Sequence, residues 1–337
     1  MNDVNTPHQV AIIGAGMAGL ACAQALQAQG IRSLIFEKSR GPSGRMSTRR
    51  TDQWQCDHGA QYFTVRDAVF QAEVARWQAA GLAAPWHGNI TILPAHSGAG
   101  RHTQPVTRYV GVPHMTSPAH ALYAGLDHTD QSTVQSIRHD RGQWHITTAE
   151  HGLHPAGFDA LVLAIPAPQA ARLLATQDSP VAGLPAQAVM RGCWTLMLQY
   201  VAPVRMDFDA AFVNQGPISW LARNSSKPGR SGQECWVVQA SPTWSEAHLG
   251  QEAAWVTTQL LEAAALLGLP APVSSTAHRW RYADTENALS VQFGWDADKA
   301  LGLCGDWLNG GRVEGAWTSG HALGTQVAAA LRRKAAG

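Results

Sequence analysis

Three glycines near the start of the chain have a spacing that suits the binding of a dinucleotide. Residues 10–38, VAIIGAGMAGLACAQALQAQGIRSLIFEK, contain Gly14-x-Gly16-x-x-Gly19. Between a strand and a helix, such glycines permit a tight turn, close approach of the backbone to a pyrophosphate, and close packing of helix on strand. Glu37 follows Gly19 by 18 positions, near the separation of about 20 at which an acidic side chain binds a ribose hydroxyl. The alternative is a structural glycine turn in an unrelated α/β protein.

A second group of glycines, with a cation, follows Glu37 in the segment KSRGPSGRMSTRR, residues 38–50. Gly41 and Gly44 allow the backbone to approach a ligand closely, and the Arg45 guanidinium suits bidentate binding of phosphate oxygens. Binding of NAD does not require this group, whereas FAD has a second half of its pyrophosphate to hold. The segment therefore favours FAD, with a solvated basic loop as the alternative.

The segment LCGDWLNGGRVEGAWTSGHALG, residues 303–324, also favours a flavin. Asp306 stands at the predicted end of a strand, where its carboxylate suits hydrogen bonds from ribityl hydroxyls. A helix is predicted to begin near Val313 to Ala316, and a helix N-terminus directed at flavin O2 stabilises the negative charge that develops on reduction. We interpret Glu314, near that helix start, as a structural residue rather than a catalytic acid.

The elements that position these residues form an α/β pattern. Short apolar runs in HQVAIIG, IRSLIFEK and FDALVLAIP predict parallel strands buried on both faces. Helices are predicted within 64–83, 116–126 and 245–267 and in the Ala-rich C-terminal segment. Residues 132–153 predict a β-meander, and 190–240 predict further strands. Residues 84–108 read as a loop with short strands.

Composition predicts an ordinary globular protein. The chain has 337 residues, which favours two domains, with 45% hydrophobic residues, 15% charged residues and a formal net charge of +1. This balance gives no signal for nucleic-acid binding. Five scattered cysteines without a CxxC pair argue against a disulfide framework. A polar N-terminus and the lack of a long apolar run predict a cytoplasmic protein without membrane association.

Six motifs in a characteristic order make the chain resemble the amine-oxidase-like flavoproteins, and most closely their bacterial renalase-like branch. They are GAGMAGL with the acidic residue that follows, GRMSTRR, DHGAQYFT, YVGVPHM, ALVLAIPAPQA and CGDWLNGGRVEGAWTSG. Pro42 and Ser43 depart from the glycine-rich spacing usual before the arginine, and His114 stands where glycine is common.

The resemblance implies non-covalent FAD and a discontinuous Rossmann-like FAD-binding domain, assigned to residues 1–66, 106–168 and 298–337. A sheet-based α+β substrate domain, residues 67–105 and 169–297, would cover the flavin ring. The implied reaction oxidises the 2- or 6-dihydro isomers of NAD(P)H to NAD(P)+, and O2 then reoxidises the flavin to give hydrogen peroxide. No oligomeric state is predicted. The expected cofactor contacts are Gly14, Gly16, Gly19, Glu37, Lys38, Gly44, Arg45, Met46, Gln61, Tyr62, Val134, Asp306, Arg312, Val313, Glu314 and Ala316.

A hydride donor whose product is aromatic needs no general base, so we expect apolar walls with few titratable groups. Tyr62, which lies in the GAQYFT part of a family motif, is expected in such a wall. The catalytic candidates are Tyr62, His248 and Trp295. Trp220, Trp244 and Trp307 are further candidates for the wall, although each tryptophan also suits a core. Arg279 and Arg281 could bind a phosphate, with structural ion pairing as the alternative.

Four other functions are alternatives for a chain with this glycine fingerprint. An amine oxidase of this family commonly keeps a lysine near the flavin, and neither Lys227, in a polar loop, nor Lys299 has the sequence context of a buried residue. No tyrosine follows Tyr282, so a paired-tyrosine cage is not expected. A desaturase would carry a longer chain with an apolar patch, and a non-catalytic module would bind a flavin that no small donor reduces. A nicotinamide-dependent dehydrogenase has no use for the C-terminal motif. No metal site is predicted.

Overall fold

A mostly parallel six-stranded sheet forms the first half of the molecule. The computed structural model describes residues 9–94 and 106–336, so residues 1–8 and part of the predicted loop, 95–105, lie outside the described residues. The parallel strands of this sheet are buried on both faces, as their apolar runs predict. In spatial order the strands are β18 (Gly294–Asp296), β19 (Leu301–Leu303), β12 (Ala160–Leu163), β1 (Val10–Ile13), β2 (Ser33–Phe36) and β8 (Asp127–Thr129).

The order of these strands brings the predicted chemical motifs together. Strands β19, β12, β1, β2 and β8 are parallel, so the loops that follow them emerge at one edge of the sheet. The turn Gly14–Gly16, the segment after Glu37 and the segment after Cys304 are three of these loops. In open parallel sheets, ligands bind at this edge.

Helices α1 (Met17–Gln27) and α7 (Val313–Ala336) pack closely on one face of this sheet. The approach depends on glycines in α7, because a Cβ at Gly320 would lie 1.9 Å from the carbonyl oxygen of Ala18. A Cβ at Gly324 would likewise lie 2.5 Å from the carbonyl oxygen of Cys22. The Ala- and Gly-rich composition of both helices therefore sets their separation.

A second six-stranded sheet forms the other half. Helix α6 (Ala253–Leu266) covers one face, where Trp194 and Trp236 are buried with the helix residues Val256 and Leu260. The other face turns toward the first half, where Met197 is buried beside Trp54 and Cys56. In spatial order its strands are β17 (Ser274–Thr285), β13 (Met190–Tyr200), β16 (Glu234–Ala240), β15 (Ile218–Arg223), β14 (Ala210–Val213) and β6 (Ile90–Leu93).

Smaller elements connect the two halves. The strand pairs are β3 (Thr48–Arg50) with β4 (Gln55–Asp57), and β5 (Ala83–Pro85) with β7 (Tyr109–Gly111). The predicted meander is present as β9 (Val134–Asp140), β10 (Gln143–Thr148) and β11 (Gly152–Leu153). The remaining helices are α2 (Ala68–Ala79), α3 (Ser117–Tyr123), α4 (Ala167–Leu174) and α5 (Pro242–Ala247), with short 3-10 turns at Pro185–Gln187 and Asn224–Ser226.

Two predicted boundaries are wrong. Strand β18 was assigned to the substrate domain, which was predicted to end at 297, but it pairs antiparallel with β19 and so belongs to the first sheet. The helix predicted over 245–267 is two helices, because α5 ends at Ala247, with His248 as its C-cap, and α6 begins after its N-cap, Glu252. None of the helices in the described residues is both long and apolar enough to cross a bilayer.

The contact between α1 and α7 gives a prediction. Gly320→Ala should lower the stability of the protein by about 1–3 kcal/mol, because the new methyl group forces the helices apart. Without that clash, alanine in a helix would stabilise by about 1 kcal/mol. Thermal unfolding measures the difference. The control is Gly183→Ala, whose Cβ would meet nothing within 4 Å; equal unfolding temperatures for the two variants would contradict this account of the packing.

Candidate active site

The glycine turn after β1 has the geometry that its spacing predicts. Gly14 has φ +103°, and a Cβ there would lie 2.7 Å from the carbonyl oxygen of Ala164. A Cβ at Gly19 would lie 2.0 Å from the carbonyl oxygen of Gly14, whereas the Cβ side of Gly16 faces open space. The turn leads directly into the N-terminus of α1, whose free N–H groups favour an anion.

The carboxylate of Glu37 lies at the same turn. Its Oε2 accepts a hydrogen bond from the backbone N–H of Ala15 at 2.8 Å, and its Oε1 accepts one from Ser39 at 2.8 Å. The side chain is 7% exposed. The structure therefore brings the predicted acidic residue to the glycines, although the chain places it 18 residues beyond the last of them.

The second glycine loop lies against the first. Ser43 donates its backbone N–H to the carbonyl oxygen of Ala15 at 3.0 Å, and a Cβ at Gly44 would lie 3.5 Å from the Cα of Gly16. The hydroxyl oxygen of Ser43 is buried and has no hydrogen-bond partner. Two glycine faces and an unpartnered hydroxyl at one place fit the pyrophosphate of a dinucleotide.

Arg45 and Asp306, from opposite ends of the chain, form an ion pair beside these loops. The guanidinium donates to both carboxylate oxygens, at 2.9 and 2.5 Å, and also to the carbonyl oxygen of Ala283 at 3.3 Å. Asp306 is 4% exposed. From the sequence, Arg45 is predicted to bind phosphate and Asp306 the ribityl hydroxyls. The structure shows that each side chain also orients the other.

Helix α7 begins at Val313, within the predicted range. Glu314 accepts hydrogen bonds from the backbone N–H groups of Arg66 and Asp67, at 2.5 and 2.7 Å, and so ties the start of α7 to the start of α2. This is a structural contact. A cavity of about 370 Å³ opens here, with Arg312 and Thr318 in its lining, and Ala316 lies in the first turn of α7.

The other expected cofactor residues are spread around the two glycine loops. Met46 is buried in the core of the first half, directly after Arg45. Lys38 is exposed, immediately beyond Glu37. Val134 opens β9 and is half-buried on the opposite face of the first sheet from α1 and α7. The backbone N–H of Ser132, two residues earlier, donates to the carbonyl oxygen of Glu37 at 2.8 Å, which keeps this segment beside the acidic residue.

The segment from His58 to Gln61 joins the glycine loops to the second sheet. The carbonyl oxygen of Gly59 accepts hydrogen bonds from the side chains of Gln61, at 3.1 Å, and Gln239, at 2.8 Å. The carbonyl oxygen of His58 accepts one from the Trp280 indole at 3.0 Å. A Cβ at Gly59 would lie 2.0 Å from the carbonyl oxygen of Arg45. Both halves of the molecule therefore hold this segment.

Beside this segment, Asp57, Lys227 and Arg230 form a buried ionic cluster. Asp57 Oδ2 accepts from Lys227 Nζ at 3.2 Å and from the Arg230 guanidinium at 2.6 Å, and all three side chains are at most 1% exposed. Burial raises the pKa of Asp57, but Lys227 and Arg230 more than offset it and lower the pKa from its usual 3.8 to about 2. Asp57 is therefore an ionised carboxylate.

Lys227 is buried, although its polar loop does not have the sequence context of a buried residue. Its ammonium donates to Asp57 and also to the side-chain oxygen of Gln61 at 3.1 Å, and it lies 5.7 Å from the centroid of a Trp86 ring. Burial lowers the pKa of Lys227, and contact with Asp57 opposes that shift. The chain therefore does have a buried lysine, and the expectation that it has none no longer argues against amine oxidation.

Three aromatic side chains from distant segments form a surface that we call the aromatic wall: Tyr62, Trp86 and Trp220. The Tyr62 ring centroid lies 5.7 Å from that of Trp220 and 6.4 Å from that of Trp86. Tyr62 is half-buried, whereas the two tryptophans are nearly inaccessible. The Arg108 guanidinium lies over the Tyr62 ring, 5.2 Å from its centroid. Tyr62 and Trp220 were predicted here, and Trp86 and Arg108 were not.

His58, at the start of the segment from His58 to Gln61, is a further titratable group with a shifted pKa. Burial first, and then the neighbouring His278 and Arg49, lower its pKa from 6.5 to about 4. Its imidazole is therefore neutral at pH 7, and it stacks on Trp280 with ring centroids 5.2 Å apart.

Two predicted catalytic residues, His248 and Trp295, lie away from the aromatic wall. His248 is the C-cap of α5 and stacks with Trp244 and Trp255, on the face of the second sheet that α6 covers. That face is opposite the one to which Trp220 belongs, because side chains alternate along a strand. Trp295 lies on the edge strand β18, opposite Gly302, and packs with the core on the α7 side.

The remaining wall and phosphate candidates also have structural roles. Trp244 belongs to the α6 side, and Trp307 is fully buried with its indole donating to the carbonyl oxygen of Ile165. Arg279 donates to the carbonyl oxygen of Leu249 at 2.6 Å and lies over Trp194, on the α6 side of the second sheet. Arg281 is exposed on the same strand.

The sequence contained a signal for some of the residues that were missed. Asp57 directly follows Cys56, and cysteine is among the residue types most often buried, so a charge at that place calls for a buried partner. The polar composition of NSSKPGR concealed Lys227 and Arg230, because nothing in it shows that the loop folds inward. Among the described residues, no group of His, Cys, Asp and Glu side chains is placed to hold a metal ion.

Comparisons of sequence with known proteins match parts of the chain. Residues 12–72 match the family of NAD(P)-binding Rossmann-like domains. Hydroxyneurosporene desaturase of Rubrivivax gelatinosus is 30% identical over 115 residues, covering 31% of this chain and 22% of that protein. L-amino-acid oxidase of Siganus canaliculatus is 37% identical over 70 residues, covering 20% and 13%. The chain thus spans less than a quarter of the length of either relative.

Structural similarity extends over nearly the whole chain. The structure of cyclohexylamine oxidase from Brevibacterium oxydans IH-35A superposes on 97% of this chain and 100% of that chain, with a TM-score of 0.75 and 12% identity. At this identity the comparison establishes the fold. The chain has the two-domain α/β fold of the flavin amine oxidases, which confirms the predicted fold class.

The ionic cluster gives a prediction about stability. Asp57→Asn leaves two buried cations without a counter-ion and should cost about 3–5 kcal/mol of unfolding free energy. Asp57→Asn combined with Lys227→Met removes one of those cations and should recover part of the loss. Urea unfolding of both variants measures it. Because the pKa of Asp57 is lowered, its contribution is present above its usual pKa of 3.8 and should fade as the pH falls toward 2. A double variant as unstable as Asp57→Asn would refute the coupling.

Proposed function

We propose that this chain is an FAD-dependent oxidase that accepts hydride from a 2- or 6-dihydro isomer of NAD(P)H and releases NAD(P)+. The observation that carries the proposal is the aromatic wall, which lies among cations and beside which the described part of the chain places no free general base. The desaturase and oxidase relatives and the fold support the broader class, a flavin-dependent oxidoreductase. The dihydronicotinamide substrate is the finer part of the proposal.

The residues of the first half fit non-covalent FAD. The N-terminus of α1, the two glycine loops and the unpartnered Ser43 hydroxyl would hold the pyrophosphate, and Glu37 would bind the ribose of the adenosine half. Asp306, oriented by Arg45, would accept hydrogen bonds from the ribityl chain. When bound, FAD supplies the acceptor for the substrate hydride and passes the electrons on to O2, giving hydrogen peroxide.

The aromatic wall would position the substrate ring. Tyr62, held beside Trp86 and Trp220, offers an aromatic ring on which a nicotinamide ring can stack next to the Arg108 guanidinium. Stacking orients one C–H bond and excludes water from the reacting atoms, which is the main task of a protein in hydride transfer. The Trp220 indole N–H is buried without a partner, so it is free to donate to a bound ligand.

The titratable groups near the wall suit a reaction without proton abstraction. The Asp57 carboxylate is occupied by Lys227 and Arg230, and both cations are occupied by Asp57. His58 is neutral, but its imidazole stacks against Trp280. A dihydronicotinamide becomes aromatic when it loses hydride, so its oxidation needs no base.

The charges near the wall favour an anionic substrate. Lys227, Arg230 and Arg108 are three cations, and Asp57 is the carboxylate that faces them. Three cations against one carboxylate leave a net positive charge here, and a positive potential attracts the phosphates of a dinucleotide and repels an ammonium group. We therefore prefer the dinucleotide to an amine as substrate.

Oxidation of a small amine is the second candidate. The observation that favours it is the buried Lys227 ammonium beside Trp86, because a buried lysine near the flavin is common in amine oxidases of this fold. In this chain the ammonium is bound to Asp57 and Gln61, and any water-mediated role would require one of those contacts to open.

The test of the proposed function is anaerobic mixing of the FAD-loaded protein with 6-dihydro-NAD(P), with ordinary NADPH and with a panel of primary amines. We expect the visible flavin absorbance to bleach rapidly with the dihydro isomer alone, and hydrogen peroxide to appear when air is readmitted. Bleaching by amines alone supports the second candidate. A protein that stays colourless after incubation with FAD contradicts both functions.

Tyr62 variants test the role of the aromatic wall. Tyr62→Phe keeps the stacking face and should retain kcat/KM for the dihydro isomer within about threefold, because no proton is transferred by the hydroxyl. Tyr62→Leu removes the face and should lower kcat/KM by at least about tenfold. Stopped-flow flavin reduction measures both, and FAD content is determined for each variant. Equal rates for the two variants would show that Tyr62 does not contact the substrate.

A further inference from the structure

Arg108 is a half-buried cation for which the described residues provide no counter-ion. Its guanidinium lies over the Tyr62 ring, at 5.2 Å from the centroid. Its Nε is buried and has no hydrogen-bond partner. No carboxylate of the described residues forms an ion pair with it. A buried N–H without a hydrogen bond is unfavourable, so the described residues leave the Nε of Arg108 with an unmet donor that a ligand could satisfy.

Other arginines of the molecule are satisfied by the protein itself. Arg230 donates to Asp57 and to the carbonyl oxygen of Gly111, and Arg45 donates to Asp306. Arg223 pairs with Glu234 at 2.8 Å. Arg279, which also lies over an aromatic ring, donates to the carbonyl oxygen of Leu249. Arg108 shares the ring contact of Arg279 but lacks its hydrogen bond.

The backbone around Arg108 is firmly held. Its carbonyl oxygen accepts a hydrogen bond from the backbone N–H of Trp86 at 2.7 Å. The next residue, Tyr109, exchanges two backbone hydrogen bonds of 2.8 Å with Phe63. Arg108 is therefore fixed beside two members of the aromatic wall, Tyr62 and Trp86. A cation that the fold holds at a proposed substrate surface, and for which the described residues provide no counter-ion, is arranged for a ligand rather than for stability.

We propose that Arg108 is the residue that binds the pyrophosphate of the dinucleotide substrate while the nicotinamide ring stacks on Tyr62. This inference rests on the proposed function and names the part of the substrate that the site recognises. A planar guanidinium binds two phosphate oxygens at once. The neighbouring Lys227 and Arg230 add positive potential, but their own contacts are taken up by Asp57. Arg108 thereby selects dinucleotides over the free nicotinamide riboside.

The kinetic experiment compares Arg108→Gln with the wild-type holoenzyme on two donors, 6-dihydro-NAD and the phosphate-free 6-dihydronicotinamide riboside. We expect KM for the dinucleotide to rise about tenfold to a hundredfold in the variant, with kcat nearly unchanged, because a charge-assisted contact made equally before and during reaction is lost. The riboside should react alike with both proteins. The matched control is Arg279→Gln, which removes a cation over a ring on the other face of the second sheet and should leave both donors unaffected.

The second experiment is independent of turnover. Calorimetric titration of the FAD-loaded protein with NAD+ should give a Kd that is about tenfold to a hundredfold weaker for Arg108→Gln, with an intermediate value for Arg108→Lys, which keeps the charge but not the bidentate geometry. Added salt should weaken NAD+ binding more in the wild type than in Arg108→Gln. The FAD content and unfolding temperature of each variant show that it is folded.

The outcomes separate this inference from the function on which it rests. If neither donor bleaches the wild-type flavin, the proposed function fails, and the NAD+ titration still decides the role of Arg108. Equal NAD+ affinity in wild type and Arg108→Gln, or no NAD+ binding by the wild type, overturns the inference. It is also overturned if Arg108→Gln slows the riboside and the dinucleotide by the same factor.

Discussion

The buried ionic cluster of Asp57, Lys227 and Arg230 is the interaction on which the site depends. Asp57 ends strand β4 in the first half of the molecule, and the two cations come from the loop after β15 in the second half. Each charge is removed from water, and each is tolerable only because the others are present. The cluster therefore holds the two halves in one arrangement, and the segment from His58 to Tyr62 follows directly from it.

Close backbone contacts do the same work on the cofactor side. Gly14 and Gly19 bring the turn after β1 against its neighbours, Gly44 approaches Gly16, and Gly59 packs on the carbonyl oxygen of Arg45. A Cβ at Gly14, Gly19 or Gly59 would clash with a backbone carbonyl oxygen, so a side chain there would force the backbones apart. The same physical requirement, space for one backbone against another, thus shapes the proposed FAD site from the first turn to the second sheet.

Charge and aromatic surface then divide the labour of the proposed reaction. In the ionic cluster Asp57 is ionised near neutral pH, because its pKa is lowered to about 2, and its carboxylate is occupied by Lys227 and Arg230. The aromatic wall offers a stacking face, and at its edge lies Arg108, a cation with which no described residue forms an ion pair. A substrate that combines a flat oxidisable ring with phosphates satisfies both features, whereas a small ammonium compound satisfies one.

The sequence by itself determined the nucleotide-binding half, because its signals are local. Glycine spacing, the acidic residue at position 37 and the buried apolar runs depend on neighbours along the chain, and the structure places Gly14, Gly16, Gly19 and Glu37 together as expected. The tertiary structure alone decided the substrate side. Lys227 is buried because a loop of polar composition folds against Asp57, 170 residues away. His248 lies on the α6 side of the second sheet and Trp295 on an edge strand of the first sheet, and only the tertiary structure shows these positions. Burial and facing arise from contacts between distant segments, and no local pattern in the chain records them.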